Sequence, residues 1–164
     1  MNKFCQTFCR SFLLTILLAF CATVVCAQEA PLNFAAESAI EKPAKIPAPI
    51  FAQLKRDRRA RQCATARNPV KRSWFSAAIV DLNGDQVDDY VVKAENACLF
   101  GANLAPFWVF HNLTHRYSLV LRADALALEI LPAATEDYRD IKLKRATAVE
   151  TLENTLKFDG KKYR

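Results

Sequence analysis

"WFSAAIVDLNGDQVDDYVVKA", residues Trp74 to Ala94, decides the fold: two short apolar runs, "WFSAAIV" and "YVVKA", flank a stretch holding four aspartates and one asparagine. Alternation at a period of two, with aromatic and β-branched residues, marks both flanks as strands. Two arrangements of the intervening loop are open. Asn83-Gly84 is a strong hairpin signal, and a two-residue turn there would pair "AIVDL" with "DQVDDYV" and leave the aspartates solvated. Alternatively, Asp81, Asn83 and Asp85, spaced by two, turn oxygens inward on a divalent cation. The second is favoured, because an empty hairpin would crowd Asp81, Asp85, Asp88 and Asp89 with no cation in the local sequence.

Calcium takes six to eight oxygens, and a twelve-residue EF-type loop offers them from positions 1, 3, 5, 7 and 9 and from a carboxylate at 12. Counting from Asp81 places Asp81, Asn83, Asp85 and Asp89 at 1, 3, 5 and 9 and the carbonyl of Val87 at 7. Position 12 is Val92, so this is not an EF-hand but a five-ligand arrangement closed by Asp89 and followed by a strand. Position 6 is Gln86, where a sharp turn favours Gly, so strain is expected if Gln86 takes a positive φ. A structural Ca2+ is the expected cofactor, preferred to Mg2+ because an all-protein oxygen cage suits it.

Outward from this loop, "FWVFHN", "YSLVLRA", "LALEIL", "YRDIKLKRA" and "TLENTLKF" continue the strand periodicity, and Asp159-Gly160 is a turn signal returning the chain through Tyr163. "FWVFHN" alternates aromatic and aliphatic residues as a strand with both faces partly covered does. Upstream, Ile50 to Ala66 lacks Gly and Pro inside, with Pro49 before it and "RNP" after it, which predicts one helix with a thin apolar stripe. The expected fold class is α+β: a small antiparallel β-sheet domain, residues 73–164, with one N-terminal basic helix, 50–66, packed on it. Residues 28–49, rich in Pro and Ala, are expected to form a flexible arm.

The first 27 residues read as an export signal: Lys3 and Arg10, then the apolar run "SFLLTILLAFCATVV", then "VCA" before Gln28. A retained anchor and a lipoprotein attached at Cys26 are the alternatives. Removal of this segment takes four of the six cysteines with it, leaving Cys63 and Cys98. In an oxidising compartment two cysteines suggest one disulfide, worth roughly 3 to 4 kcal/mol by loop entropy; two buried free thiols are the alternative. The implied localisation is periplasmic or secreted, with no transmembrane segment in the mature chain.

The full chain carries a formal charge of +6, and "KRDRRARQCATARNPVKR", Lys55 to Arg72, contains only Asp57 against its cations. In an exported protein such a stretch suits an anionic envelope component or a protein partner rather than nucleic acid. Lys55, Arg56, Arg58, Arg59 and Arg61 are the candidate contacts; a merely solvated helix face is the alternative.

"IVDLNGDQVDDYVV" resembles the strand-loop-strand calcium signature of FG-GAP and VCBS-type sequences, written D-x-N-x-D-G-x-x-D and followed by an apolar pair. More widely, residues 77–164 are similar to small exported bacterial proteins carrying that loop. The resemblance implies metal ligation by Asp81, Asn83, Asp85, Val87 and Asp89, and Gln86 departs from its usual Gly. Its propeller members repeat the motif around an axis; here it occurs once, which cannot close a propeller.

Other candidates are weaker. His111 and His115 sit between two strands, where a spacing of four does not unite them. "NLT" at Asn112 fits a glycosylation sequon of the eukaryotic secretory pathway. Asp137 and Asp140 could serve as acid and base, and Trp74, Phe107, Trp108 and Phe110 could line a glycan platform, but turn and core roles are commoner for such residues. The expectation is an exported, calcium-stabilised, non-catalytic binding module. An enzyme acting on envelope polymers, or an inhibitor or assembly partner of another secreted protein, are the alternatives.

Overall fold

The computed structural model describes residues 30–101, 104–114, 116–146 and 149–164. The expected leader, 1–27, and His115 lie outside the described residues. Among the described residues, eight strands form two antiparallel sheets of four. One runs β1-β6-β7-β8, with β1 Leu32–Ala35, β6 Ala127–Thr135, β7 Tyr138–Ala146 and β8 Thr151–Leu156. The other runs β2-β3-β4-β5, with β2 Phe75–Val80, β3 Asp89–Ala94, β4 Ala105–Leu113 and β5 Arg116–Ala125. The fold is therefore mixed, dominated by antiparallel sheet, but with two packed sheets where the periodicity had predicted one. Only Leu126 separates β5 from β6, and its N–H and C=O both pair within the first sheet, so the chain changes sheets without a loop.

The β2–β5 sheet is the middle layer. Val91, Phe107 and Val109 face Leu128, Ile130, Ile141 and Leu143 of the first sheet, whereas Tyr90, Val92, Trp108 and Phe110 face Ile46, Ile50, Leu54 and Ala60 on the helical side. Burial on both faces explains why β4 reads as a continuous apolar run. At Val109/Phe110 the register shifts so that Val120 becomes an extra, core-facing residue of β5. Pro132 lies in the irregular stretch of β6, where it has no N–H to give the ladder, and the buried Arg139 guanidinium covers the Leu131 and Ile130 carbonyls there.

The predicted helix 50–66 is corrected to two. α1 spans Ala48–Leu54 and α2 spans Arg58–Cys63. The break lies at Asp57, whose Oδ1 accepts from the Arg59 and Ala60 N–H groups at 2.8 and 3.2 Å. An aspartate that caps a new helix no longer propagates the old one. Cys63, at the end of α2, is disulfide-bonded to Cys98 in the 3₁₀ turn Ala97–Leu99.

The predicted flexible arm is also corrected. Leu32–Ala35 form β1, paired with β6 from Leu32↔Ile130 to Ala35↔Ala127, and Ala44 N–H donates to the Ala77 carbonyl at 2.7 Å. The hook is Lys93, whose ammonium is buried and donates to the carbonyls of Ala35, Ala36 and Ser38. A lysine reaches this depth only where acceptors surround its charge.

The outer face of the first sheet is a charge ladder. Glu129 accepts from Lys142 at 2.7 Å and from Lys144 at 2.8 Å, with Glu153 beyond. The Lys142 hydrogen bond, then that of Lys144, holds the Glu129 carboxyl below its usual range. A lowered carboxylate stabilises the fold above its unfolded value, and that contribution is lost as pH falls through the folded value. Acid titration of stability should therefore show a shallower loss below about pH 4.5 in Glu129→Gln than in the wild type.

Candidate metal loop

β2 and β3 pair from Phe75↔Ala94 to Val80↔Asp89, so residues 81–88 form the connection. The two-residue hairpin at Asn83-Gly84 does not form. Instead the loop curls around its own acidic side chains. Asp81 Oδ1 accepts from Asn83 N at 3.2 Å and Gly84 N at 2.7 Å, and Asp81 Oδ2 accepts from Gln86 N at 3.0 Å. Asp85 Oδ1 accepts from Val87 N at 2.7 Å, and Asp85 Oδ2 from Asn83 Nδ2 at 2.9 Å. The Val87 N–H, then the Asn83 amide, hold the Asp85 carboxyl below its usual range. Gly84 and Gln86 both take positive φ, 74° and 61°. The strain anticipated at Gln86 is present. Gln86→Gly is expected to stabilise the loop by up to about 1 kcal/mol, read as a higher urea midpoint at unchanged slope.

Asp89 closes the loop from inside the protein. Its Oδ2 accepts from Leu82 N at 3.0 Å; its Oδ1 accepts from Asn112 N at 2.7 Å and from His111 Nδ1 at 3.0 Å. Burial pushes the Asp89 carboxyl up, against the pull of these hydrogen bonds. A carboxylate only accepts, so His111 Nδ1 donates to it, and Nε2 on the far side of the ring lies 3.1 Å from the Tyr138 hydroxyl. Tyr138 belongs to the other sheet and stacks on Phe158. Arg139 N–H donates to the Leu82 carbonyl at 2.7 Å, which ties the loop to β7 a second time.

Each carboxylate or amide oxygen has two lone pairs, and counting those used measures what the loop retains for a cation. Asp81 Oδ1 and Asp89 Oδ1 are fully engaged. Asp81 Oδ2, both oxygens of Asp85 and Asp89 Oδ2 each keep one lone pair, and Asn83 Oδ1 keeps another beside a 3.4 Å contact from Asp85 N. With the Val87 carbonyl, the five residues expected as ligands supply an all-oxygen set suited to a hard cation. They are not drawn into a ready-made cage. Among the described residues no three His, Cys, Asp or Glu side chains converge as a metal cluster. Asp81, Asn83 and Asp85 are linked directly, whereas Asp89 stands apart at the base with its carboxylate turned toward Leu82, His111 and Asn112.

The remaining candidates resolve by burial. Trp74, Phe107, Trp108 and Phe110 are all core, so these four do not form a platform facing solvent. Asn112 is buried and its Nδ2 donates to the Asp88 carbonyl, which removes the sequon from the surface. Asp137 occupies a two-residue turn with Glu136, both at positive φ, while Asp140 is buried in β7 with Oδ1 unpartnered. Among the basic residues, Lys55, Arg56, Arg58 and Arg61 are exposed, but Arg59 turns inward. It forms a two-pronged pair with Asp124 at 3.0 and 3.2 Å and donates to the Leu99 carbonyl. Among the described residues no helix is long and apolar enough to cross a membrane. No family model, curated protein or solved structure matches the chain.

Proposed function

We propose that this chain is an exported, non-catalytic binding module whose acidic loop takes one structural Ca2+ through Asp81, Asn83, Asp85, Val87 and Asp89. The observation that carries this reading is the eight-residue loop itself, with a spare lone pair on an oxygen of each acidic ligand. The ion would neutralise carboxylates that otherwise repel, and it would tie β2 to β3 at the point where β7 also holds the loop. The disulfide supports an oxidising compartment, periplasmic or extracellular. Lys55, Arg56, Arg58 and Arg61 are available to an anionic envelope component or a protein partner; Arg59 serves the fold instead.

Calorimetric titration of calcium into chelator-treated protein tests this. One site per chain with a dissociation constant on the order of 10⁻⁴ M or tighter is expected, and Asp85→Asn should weaken it. Absence of uptake by a folded, oxidised protein would overturn the reading.

A further inference from the structure

We infer that the corner formed by α1, α2 and the loop to Arg72 is a docking surface for a linear anionic polysaccharide, an inference that rests on the binding-module reading and is independent of the ion. The run Lys55–Arg72 mixes cations with one acid, and the fold sorts them. Asp57, the only acid, points inward: Oδ1 caps α2, while Oδ2 accepts from Trp108 Nε1 at 3.2 Å and lies 3.6 Å from Arg122. Arg59 is consumed by Asp124 and Leu99, and Arg72 donates to the Ile46 carbonyl and covers the Phe51 ring at 4.5 Å. Exposed at this corner are Lys55, Arg56, Arg58, Arg61, Arg67 and Lys71. None of the six has an ion-pair partner among the described residues.

Unopposed exposed cations attract a chain of regularly spaced anions, which gains by releasing its counterions, and guanidinium forks suit carboxylate and sulfate oxygens. A bilayer or a protein partner would call for an apolar anchor as well. None of the exposed large apolar residues belongs to the stretch from α1 to Arg72, the Phe51 ring of α1 is already covered by Arg72 and Lys55, and Phe100, which follows the turn disulfide-bonded to α2, is a single side chain rather than an apolar patch. The partner that fits is an acidic glycan without a lipid or peptide component.

The test measures binding of heparin, hyaluronate and neutral dextran to the full mature chain, in Ca2+ and in EGTA, at several salt concentrations. Wild type should bind both acidic glycans and not dextran. The triple variant Arg56→Gln, Arg58→Gln, Arg61→Gln should lose about tenfold or more in affinity, and its log–log salt slope should fall by about one per cation removed. A charge-matched control, Arg145→Gln, Lys161→Gln, Lys162→Gln, should change affinity less than about twofold, and Arg59→Gln should lower thermal stability more than affinity. Equal losses in the two triple variants would overturn the proposal, as would absence of glycan binding. So would a preference, at equal charge concentration, for phosphatidylglycerol vesicles, an acidic protein or a DNA duplex. Glycan binding that persists while calcium uptake fails would refute the ion and leave this surface standing.

Discussion

Replacing Lys93 by methionine is expected to lower stability by about 3 kcal/mol, a fall of roughly 10 °C in melting temperature for a domain of this size. Methionine nearly matches the volume of lysine, so the loss does not come from a cavity. It comes from the carbonyls of Ala35, Ala36 and Ser38, which would lose the ammonium that donates to them, and from Glu95, which would lose its ion-pair partner at 3.4 Å. A buried acceptor stripped of its donor costs about 1 to 3 kcal/mol. Release should start locally, because Lys93 hooks the end of β1 to the middle sheet. Amide exchange at Leu32–Ala35 and proteolysis between residues 36 and 47 should therefore rise before the global transition. If Lys93→Met melts within a degree or two of the wild type, the N-terminal segment is not held in this way.

The second large effect is expected at Asp89, where two carboxylates of the same loop separate by role. Asp89→Ala would strand the buried N–H groups of Leu82 and Asn112 and leave the His111 ring without its acceptor. About 4 kcal/mol should be lost, in chelator as well as in calcium, since removing one partner from a buried charged network is costly whatever occupies the loop. Asp85, by contrast, is exposed and receives its hydrogen bonds only from within the loop. Asp85→Asn should lower stability in calcium and change it little in EGTA. Parallel urea titrations of both variants in the two media give the comparison, and a calcium-independent loss in Asp85→Asn would assign that residue to the fold alone.

Much of this architecture is legible in the chain. Strands β2 to β8 follow from alternation, the β4 run from burial on both faces, the terminal turn from Asp159-Gly160, and the strain at Gln86 from its place in the loop, whereas β1 lies in a stretch that reads as an arm. The cysteine pairing follows from compartment and count. Other features carry no residue-level signal. Nothing in "YVVKA" marks Lys93 as buried, because the backbone carbonyls it meets lie more than fifty residues earlier. Asp57 looks like the lone acid of a basic helix until its carboxylate is seen to cap α2. A single residue, Leu126, cannot announce a change of sheet.

The site was legible in the same uneven way. The spacing of Asp81, Asn83 and Asp85 identifies a loop wrapped on its own oxygens, but period-two logic could not place Asp89 within the protein. The bond from His111 to Asp89 joins β4 to the start of β3, and Tyr138 arrives from the other sheet. "HNLTH" was expected to mark a turn; His111 and Asn112 instead lie buried at the end of β4 and secure the loop. A histidine in an aromatic strand, with an aspartate opening the neighbouring strand, was the available clue.

Whether a divalent ion shares the charge of the loop carboxylates is tested most directly by melting the oxidised protein in calcium, in magnesium and in EGTA. With free calcium at about a hundred times its dissociation constant, the linkage relation predicts a stabilisation of about 2.7 kcal/mol, a rise of roughly 10 °C over EGTA, and a smaller rise in magnesium. Identical melting temperatures in saturating calcium and in EGTA would contradict the claim.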